Sequence, residues 1–126
     1  MYENPTRSSP SHSARAVAGT TVVELRGEID LLAAPALAAR LDALTARERP
    51  DLVLDLRAVS FIDCTGIGVL CRARKRVQAQ QGRLRLVSRS PRFLRILRIT
   101  GLADAFEIDP DLPAPLAVDV ITVRAS

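Results

Sequence analysis

Six consecutive residues carry most of the chemistry in this sequence: Asp63-Cys64-Thr65-Gly66-Ile67-Gly68. They follow an apolar stretch ending in Phe61-Ile62 and open a run with helical spacing. A carboxylate at such a junction can cap the helix, accepting hydrogen bonds from N–H groups that the first turn leaves without partners. The same turn carries the positive end of the helix dipole. Gly66 and Gly68 leave the turn bare, so another backbone could approach closely. A thiol at 64 and a hydroxyl at 65 would then be presented at the surface. A phosphate added there would bring about two negative charges next to Asp63 and could repel or attract a docking protein without changing the fold. The plainer reading fits the same residues: Asp63 only caps a helix and the glycines only permit tight packing.

A catalytic reading would centre on Cys64, since a thiol at a helix start can become nucleophilic. A phosphatase-type loop would need Arg at position 70, where Leu70 stands, and the single histidine, His12, lies in a polar N-terminal stretch. Redox sensing by Cys64 asks less of its surroundings. Cys64 and Cys71 on one helix would be separated by roughly 10 Å of rise, too far for a disulfide, and their spacing matches no zinc motif. Glu28 and Asp30 could be taken for a catalytic pair, but acidic residues just before a helix favour its N-terminus. The expectation is a binding protein with no catalytic residue, no metal and no cofactor.

The elements that must position Asp63 to Gly68 can be read on either side of them. Arg15–Ala18 and Thr21–Leu25 look like short strands around Gly19, with a turn at Gly27. Positions 35–46 read as an amphipathic helix, with Leu37, Leu41 and Leu44 on one face and Pro35 in the first turn. Asp51–Leu56 is a compact strand. The helix after Asp63 runs to about Gln81, with Leu70, Ala73 and Val77 inward and Arg72, Lys75 and Arg76 pointing away. Leu84, Leu86 and Val87 form a strand. Ser90 and Pro91 open a third helix as N-cap and first helical residue, with Phe93, Leu94, Leu97 and Ile99 apolar. Ala105–Ile108 is a last strand. This alternation argues for an α/β sheet covered by helices. Residues 1–13 read as a disordered tail, 14–110 as the domain, and 111–126, with Pro113 and Pro115, as a segment of uncertain structure.

The chain has 126 residues, enough for one domain, and is 48% apolar but only 3% aromatic, so Leu, Val, Ile and Ala must build the core. The net charge of +4 is unevenly spread: ten basic and no acidic residues lie between Cys64 and Ala103. Such a block could attract an acidic protein, nucleic acid or anionic lipid, or simply solvate helix faces. Stacking aromatics and a helix-turn-helix pattern are missing, which argues against nucleic acid. No apolar stretch is long enough for a membrane span, and no secretory h-region is visible. The expected address is the cytoplasm, and the expected state a monomer or weak dimer.

The element order and three stretches resemble the STAS domain family, specifically the bacterial anti-sigma factor antagonists. The stretches are Gly27-Glu28-Ile29-Asp30, Leu52-Val53-Leu54-Asp55-Leu56 and, most specifically, Phe61-Ile62-Asp63-Cys64-Thr65-Gly66-Ile67-Gly68-Val69-Leu70. The resemblance covers Arg15 to Ile108 and implies a mixed sheet of four to five strands with three to four helices. It implies an anti-sigma factor as partner, a small serine kinase-like ATPase that the unmodified antagonist binds so that a sigma factor is freed. In the family the kinase phosphorylates the Ser directly after the Asp of the motif, which ends binding, and a PP2C-type phosphatase restores it. That Ser corresponds to Cys64. Three outcomes follow: a constitutive binder that the kinase cannot inactivate, a switch moved to Thr65, or a scaffold or sensor subunit of a larger STAS assembly. The first is adopted, because a neutral thiol near Ser in size resembles the unphosphorylated state. The partner-binding residues implied are Asp30, Asp63, Cys64, Thr65, Gly66, Ile67, Gly68 and Arg72.

Overall fold

The computed structural model describes residues 12–17 and 19–113. Five strands form one sheet in chain order: β1 (His12–Val17), β2 (Thr20–Ile29), β3 (Asp51–Ile62), β4 (Arg83–Val87) and β5 (Glu107–Asp109). β1 pairs antiparallel with β2, and the remaining neighbours are parallel. Three helices fill the crossovers: α1 (Ala34–Leu44), α2 (Cys64–Ala79) and α3 (Pro91–Ile99), with a short 3-10 turn at Ala103–Ala105 before β5. This is the mixed five-stranded α/β sheet expected from the alternation of patterns.

Period-two alternation places one apolar set against the helices. Val23 and Leu25 of β2, Leu52, Leu54 and Leu56 of β3, and Leu84 and Leu86 of β4 share a core with Leu37 and Leu41 of α1. Leu70, Ala73 and Val77 of α2 and Phe93 and Leu97 of α3 complete it. Burying each large side chain here contributes about 1.5–3 kcal/mol. On the opposite face, Val22, Val53 and Val87 cluster with Leu112. Beside them the buried Asp55 carboxylate accepts two bonds of 2.9 Å from the Arg57 guanidinium.

Several boundaries differ from the sequence reading. β1 begins at His12, so His12 and Ser13 pair with Leu25 and Glu24 instead of lying in a tail; residues 1–11 and 114–126 lie outside the described residues. Gly27, expected as a turn, sits inside β2 with φ of 81° at a register irregularity against β3. A left-handed backbone there favours glycine while the strand continues. β3 extends to Ile62, well beyond Leu56. The final strand is Glu107–Asp109, and Ala105 belongs to the 3-10 turn. Ile99, expected among the apolar residues of α3, is 76% exposed. At roughly 100° per residue it falls about 240° around the helix from Phe93, off the buried face.

β3 outruns its neighbour. It pairs with β2 along its length, from Leu52 opposite Thr21 to Ile62 opposite Ile29. It pairs with β4 only from Asp51 to Asp55. The strand ends, the start of α2 and the start of α3 therefore enclose a space at the carboxyl edge of the sheet.

Candidate functional site

The site is built on the junction between β3 and α2. Asp63 has extended backbone angles, and its Oδ1 accepts a 2.9 Å hydrogen bond from the Gly66 N–H, making it the N-cap. The Asp63 N–H donates to the Ile29 carbonyl at 3.2 Å, tying the junction to the end of β2. Helical geometry begins at once, and Cys64 and Thr65 are both exposed.

The next residues divide by face. Gly66 is buried: a Cβ built on it would lie 2.6 Å from the Ile29 carbonyl oxygen and 2.6 Å from the Ile62 side chain. Its lack of a side chain serves internal packing, so the bare turn expected for an approaching backbone is not provided by Gly66. Ile67, also expected among the contacts, is only 7% exposed, and its side chain lines the cleft described below and not the outer side of the turn. Gly68 is exposed with open space around it. Residues 64, 65 and 68 thus form the outward side of the first turn, supported from below by 66 and 67.

Asp30 lies at the same sheet edge, because Ile29 and Ile62 are register partners. Its Oδ1 accepts from the N–H groups of Leu32 and Ala33, both at 3.1 Å, and so shapes the turn into α1. That turn leaves Leu31 and Leu32 68% and 77% exposed. Phe61, at the end of β3, is also exposed. Sequence reasoning missed these three. The only signal for the leucines was their position in a turn, outside any helical or strand period.

Arg72 is exposed but not free. Its guanidinium makes a two-pronged pair with Asp42 of α1 at 3.0 and 2.9 Å. Arg76, expected to point away, reaches across α1 to Thr45 Oγ1 at 2.9 Å and the Asp42 carbonyl at 3.0 Å. These bonds clamp α2 to α1 and draw the Asp42 carboxyl below its usual value, chiefly through the Arg72 hydrogen bond. The basic block is neutralised in the same way elsewhere. Arg83 pairs with Glu107, Arg85 with Asp51, and Arg89 with Asp111. Arg92, Arg95 and Arg98 of α3 are exposed and have no ion-pair partner among the described residues.

A cleft of about 360 Å³ lies where β3 runs past β4. Leu56, Val59, Ile67, Phe93 and Ile96 supply apolar lining; Cys64 and Arg92 are exposed members of it. Among the described residues, no group of three His, Cys, Asp or Glu could hold a metal ion. No helix among them is long and apolar enough to cross a membrane.

The STAS domain model matches residues 12–114, the span that holds this sheet and the capped start of α2. The chain belongs to the STAS domain family. It is 42% identical over 86 residues to the anti-sigma-B factor antagonist of Bacillus subtilis (strain 168), a match covering 68% of this chain and 78% of that one. It is 40% identical over 82 residues to the Listeria monocytogenes (serovar 1/2a, strain EGD-e) anti-sigma-B factor antagonist, covering 65% and 72%. Among solved structures, an anti-sigma factor antagonist from Mycobacterium paratuberculosis superposes with a TM-score of 0.76 at 33% identity, covering 86% of this chain and 92% of that one. In STAS terms, the junction from Asp63 to Gly68 opens α2, and Asp30 lies beside it at the end of β2.

Proposed function

We propose that this STAS protein is an anti-sigma factor antagonist that docks an anti-sigma factor on the surface around Cys64 and stays competent to bind because Cys64 replaces the phosphorylated Ser. The observation that carries the reading is the placement of Cys64: exposed, immediately after a capping aspartate, at the first turn of α2. Thr65 and Gly68 share that outward side, and the exposed Leu31, Leu32 and Phe61 lie at the same sheet edge. Apolar groups of this kind supply contact area, and residue 64 supplies the point at which charge would be felt. The relatives named as antagonists support the same partner class. Such a protein acts by occupying the anti-sigma factor, which releases its sigma factor. It needs no chemical step of its own.

The hydroxyl of Thr65 does not stand in for the serine hydroxyl that position 64 lacks. Successive helical residues point about 100° apart, so a kinase aligned on position 64 meets Thr65 from the wrong direction.

The test is a binding and phosphorylation assay with the ATP-binding anti-sigma factors of the source organism. The wild-type chain binds one of them and takes up no phosphate from ATP. Cys64→Ser binds comparably and becomes phosphorylated. Cys64→Asp, which places a charge beside Asp63, binds roughly tenfold or more weakly, equivalent to about 1.4 kcal/mol. Phosphate found on Thr65 of the wild type would sink the constitutive version.

A further inference from the structure

We propose that the cleft between the starts of α2 and α3 is the socket for an apolar side chain of the anti-sigma factor, with acidic groups of that partner set against Arg92 and Arg95. The proposal rests on the antagonist reading above and names where that complex is anchored.

The cleft exists for a topological reason. β3 continues from Leu56 to Ile62 with no β4 residue beside it, and the room that a longer β4 would fill stays open. Its volume of about 360 Å³ lies toward the small end of the pockets that enclose ligands, roughly 300–1,000 Å³. Leu56, Val59, Ile67, Phe93 and Ile96 give it an apolar lining. Pockets of this type near the centre of an interface are where a few anchor side chains carry most of the binding energy. Cys64 lines the same space, so the cleft is continuous with the docking surface around that residue.

Charge identifies the occupant as a protein. The lining includes one carboxylate, Asp63, whose Oδ1 is engaged by the Gly66 N–H. Arg92 also lines the cleft, Arg95 follows one turn on along α3, and Arg98 lies farther along and about 240° around the helix from Arg92. From 92 to 98 the helix rises about 9 Å. None of the three has an ion-pair partner among the described residues, whereas Arg72, Arg83, Arg85 and Arg89 all do. A small molecule held in the cleft would leave the outer arginines unmatched. An acidic protein surface that projects one apolar side chain satisfies both features.

Titration calorimetry and stopped-flow binding with the purified anti-sigma factors of the source organism test this. Arg92→Glu combined with Arg95→Glu changes exposed residues that make no ion pair among the described residues, so the fold is expected to survive. It should weaken binding about tenfold or more at low salt, mainly through slower association, and the loss should shrink as salt rises. Ile96→Asn should weaken binding by a similar factor through faster dissociation, independently of salt. Lys75→Glu, on the outer face of α2, is the charge control and should bind as the wild type does. Circular dichroism of each variant establishes that it is folded. Wild-type binding with both cleft variants equal to Lys75→Glu overturns the socket and leaves the antagonist reading standing. Wild-type binding to none of the factors overturns both. A small molecule retained in native mass spectrometry, or a dimer that Ile96→Asn dissolves, assigns the cleft to another occupant and overturns the proposal.

Discussion

Ile29-Asp30 and Ile62-Asp63 stand side by side at the ends of β2 and β3, with the two isoleucines in register, yet the dipeptides open their helices differently. At the first, the Asp30 carboxylate bonds the N–H groups of Leu32 and Ala33, and α1 starts only at Ala34, whose N-cap, Ala33, has no side-chain bond. The intervening residues leave two leucines exposed. At the second, Asp63 is itself the N-cap and α2 starts on the next residue. The difference lies two positions beyond the first helical residue, at Gly66. Without a Cβ it lets the first turn of α2 settle against the Ile29 carbonyl. The second junction thus rests on the first, and its exposed residues, Cys64 and Thr65, are held by packing from beneath. A capping aspartate starts a helix; what lies under the first turn decides how firmly its outer side is presented.

The sharpest way to break that comparison is Gly66→Ala. The new Cβ would meet the Ile29 carbonyl oxygen at 2.6 Å, backbone that cannot rotate aside. Overpacking of this kind costs about 1–3 kcal/mol. Gly68→Ala, two residues on, meets nothing within 4 Å and sits inside the helix. It should stabilise the protein by about 0.5–1 kcal/mol. Urea denaturation of the two variants should give midpoints that move in opposite directions. A Gly66→Ala midpoint equal to wild type would show that α2 does not rest on β2 as described.

The capping roles give the next effect. Asp63→Ala removes an N-cap and should cost about 1 kcal/mol. Asp30→Ala removes bonds from a surface turn that is not a helix cap and should cost no more than about 0.5 kcal/mol. Equal losses in urea denaturation would make the two Ile-Asp junctions equivalent after all.

Local signals in the sequence were enough to place Asp63 as a cap, Ser90 as the cap of α3 and Pro91 as its first residue. Ser90 Oγ accepts from the Phe93 N–H at 3.2 Å, as that spacing requires. The alternation of Leu52, Leu54 and Leu56 likewise identified the buried side of β3. Features that depend on register between distant segments were not legible. The cleft exists because β4 stops opposite Asp55, which nothing within β4 announces. The two faces of the Gly66-Ile67-Gly68 turn needed the position of Ile29. The strand role of His12 and Ser13 needed their pairing with β2, since their polar character alone reads as tail. The basic block could be read from sequence either as a surface for an acidic partner or as solvated helix faces, because its acidic complements, Asp42, Asp51, Glu107 and Asp111, lie outside it in sequence. Once they are paired, the α3 arginines, Lys75 and Arg74, which donates to the Ala105 carbonyl at 2.6 Å, are the basic residues of that block without an ion-pair partner among the described residues.

The smallest effect concerns whether the two junctions move as one body, which depends on what joins α1 to α2 farther along. Asp42 is that link, bonded by Arg72 and within 3.2 Å of Arg76. Its carboxyl is held below the ordinary value of 3.8, first by the Arg72 hydrogen bond; burial opposes this, and the positive charges of Arg72 and then Arg76 add to the lowering. A carboxylate whose folded pKa is depressed stabilises the protein fully above its unfolded value and progressively less as pH falls through the folded one. The contribution of Asp42 is therefore complete at neutral pH and disappears on acidification below about pH 3.8. The pair is solvent-accessible, so the change should be slight and weaker in high salt. Asp42→Asn should flatten that part of the stability-against-pH curve while leaving the Gly66 and Asp63 effects unchanged. If Asp42→Asn instead altered the loss caused by Gly66→Ala, the clamp and the junction would be energetically coupled, and α1 and α2 would present their exposed starts as one unit.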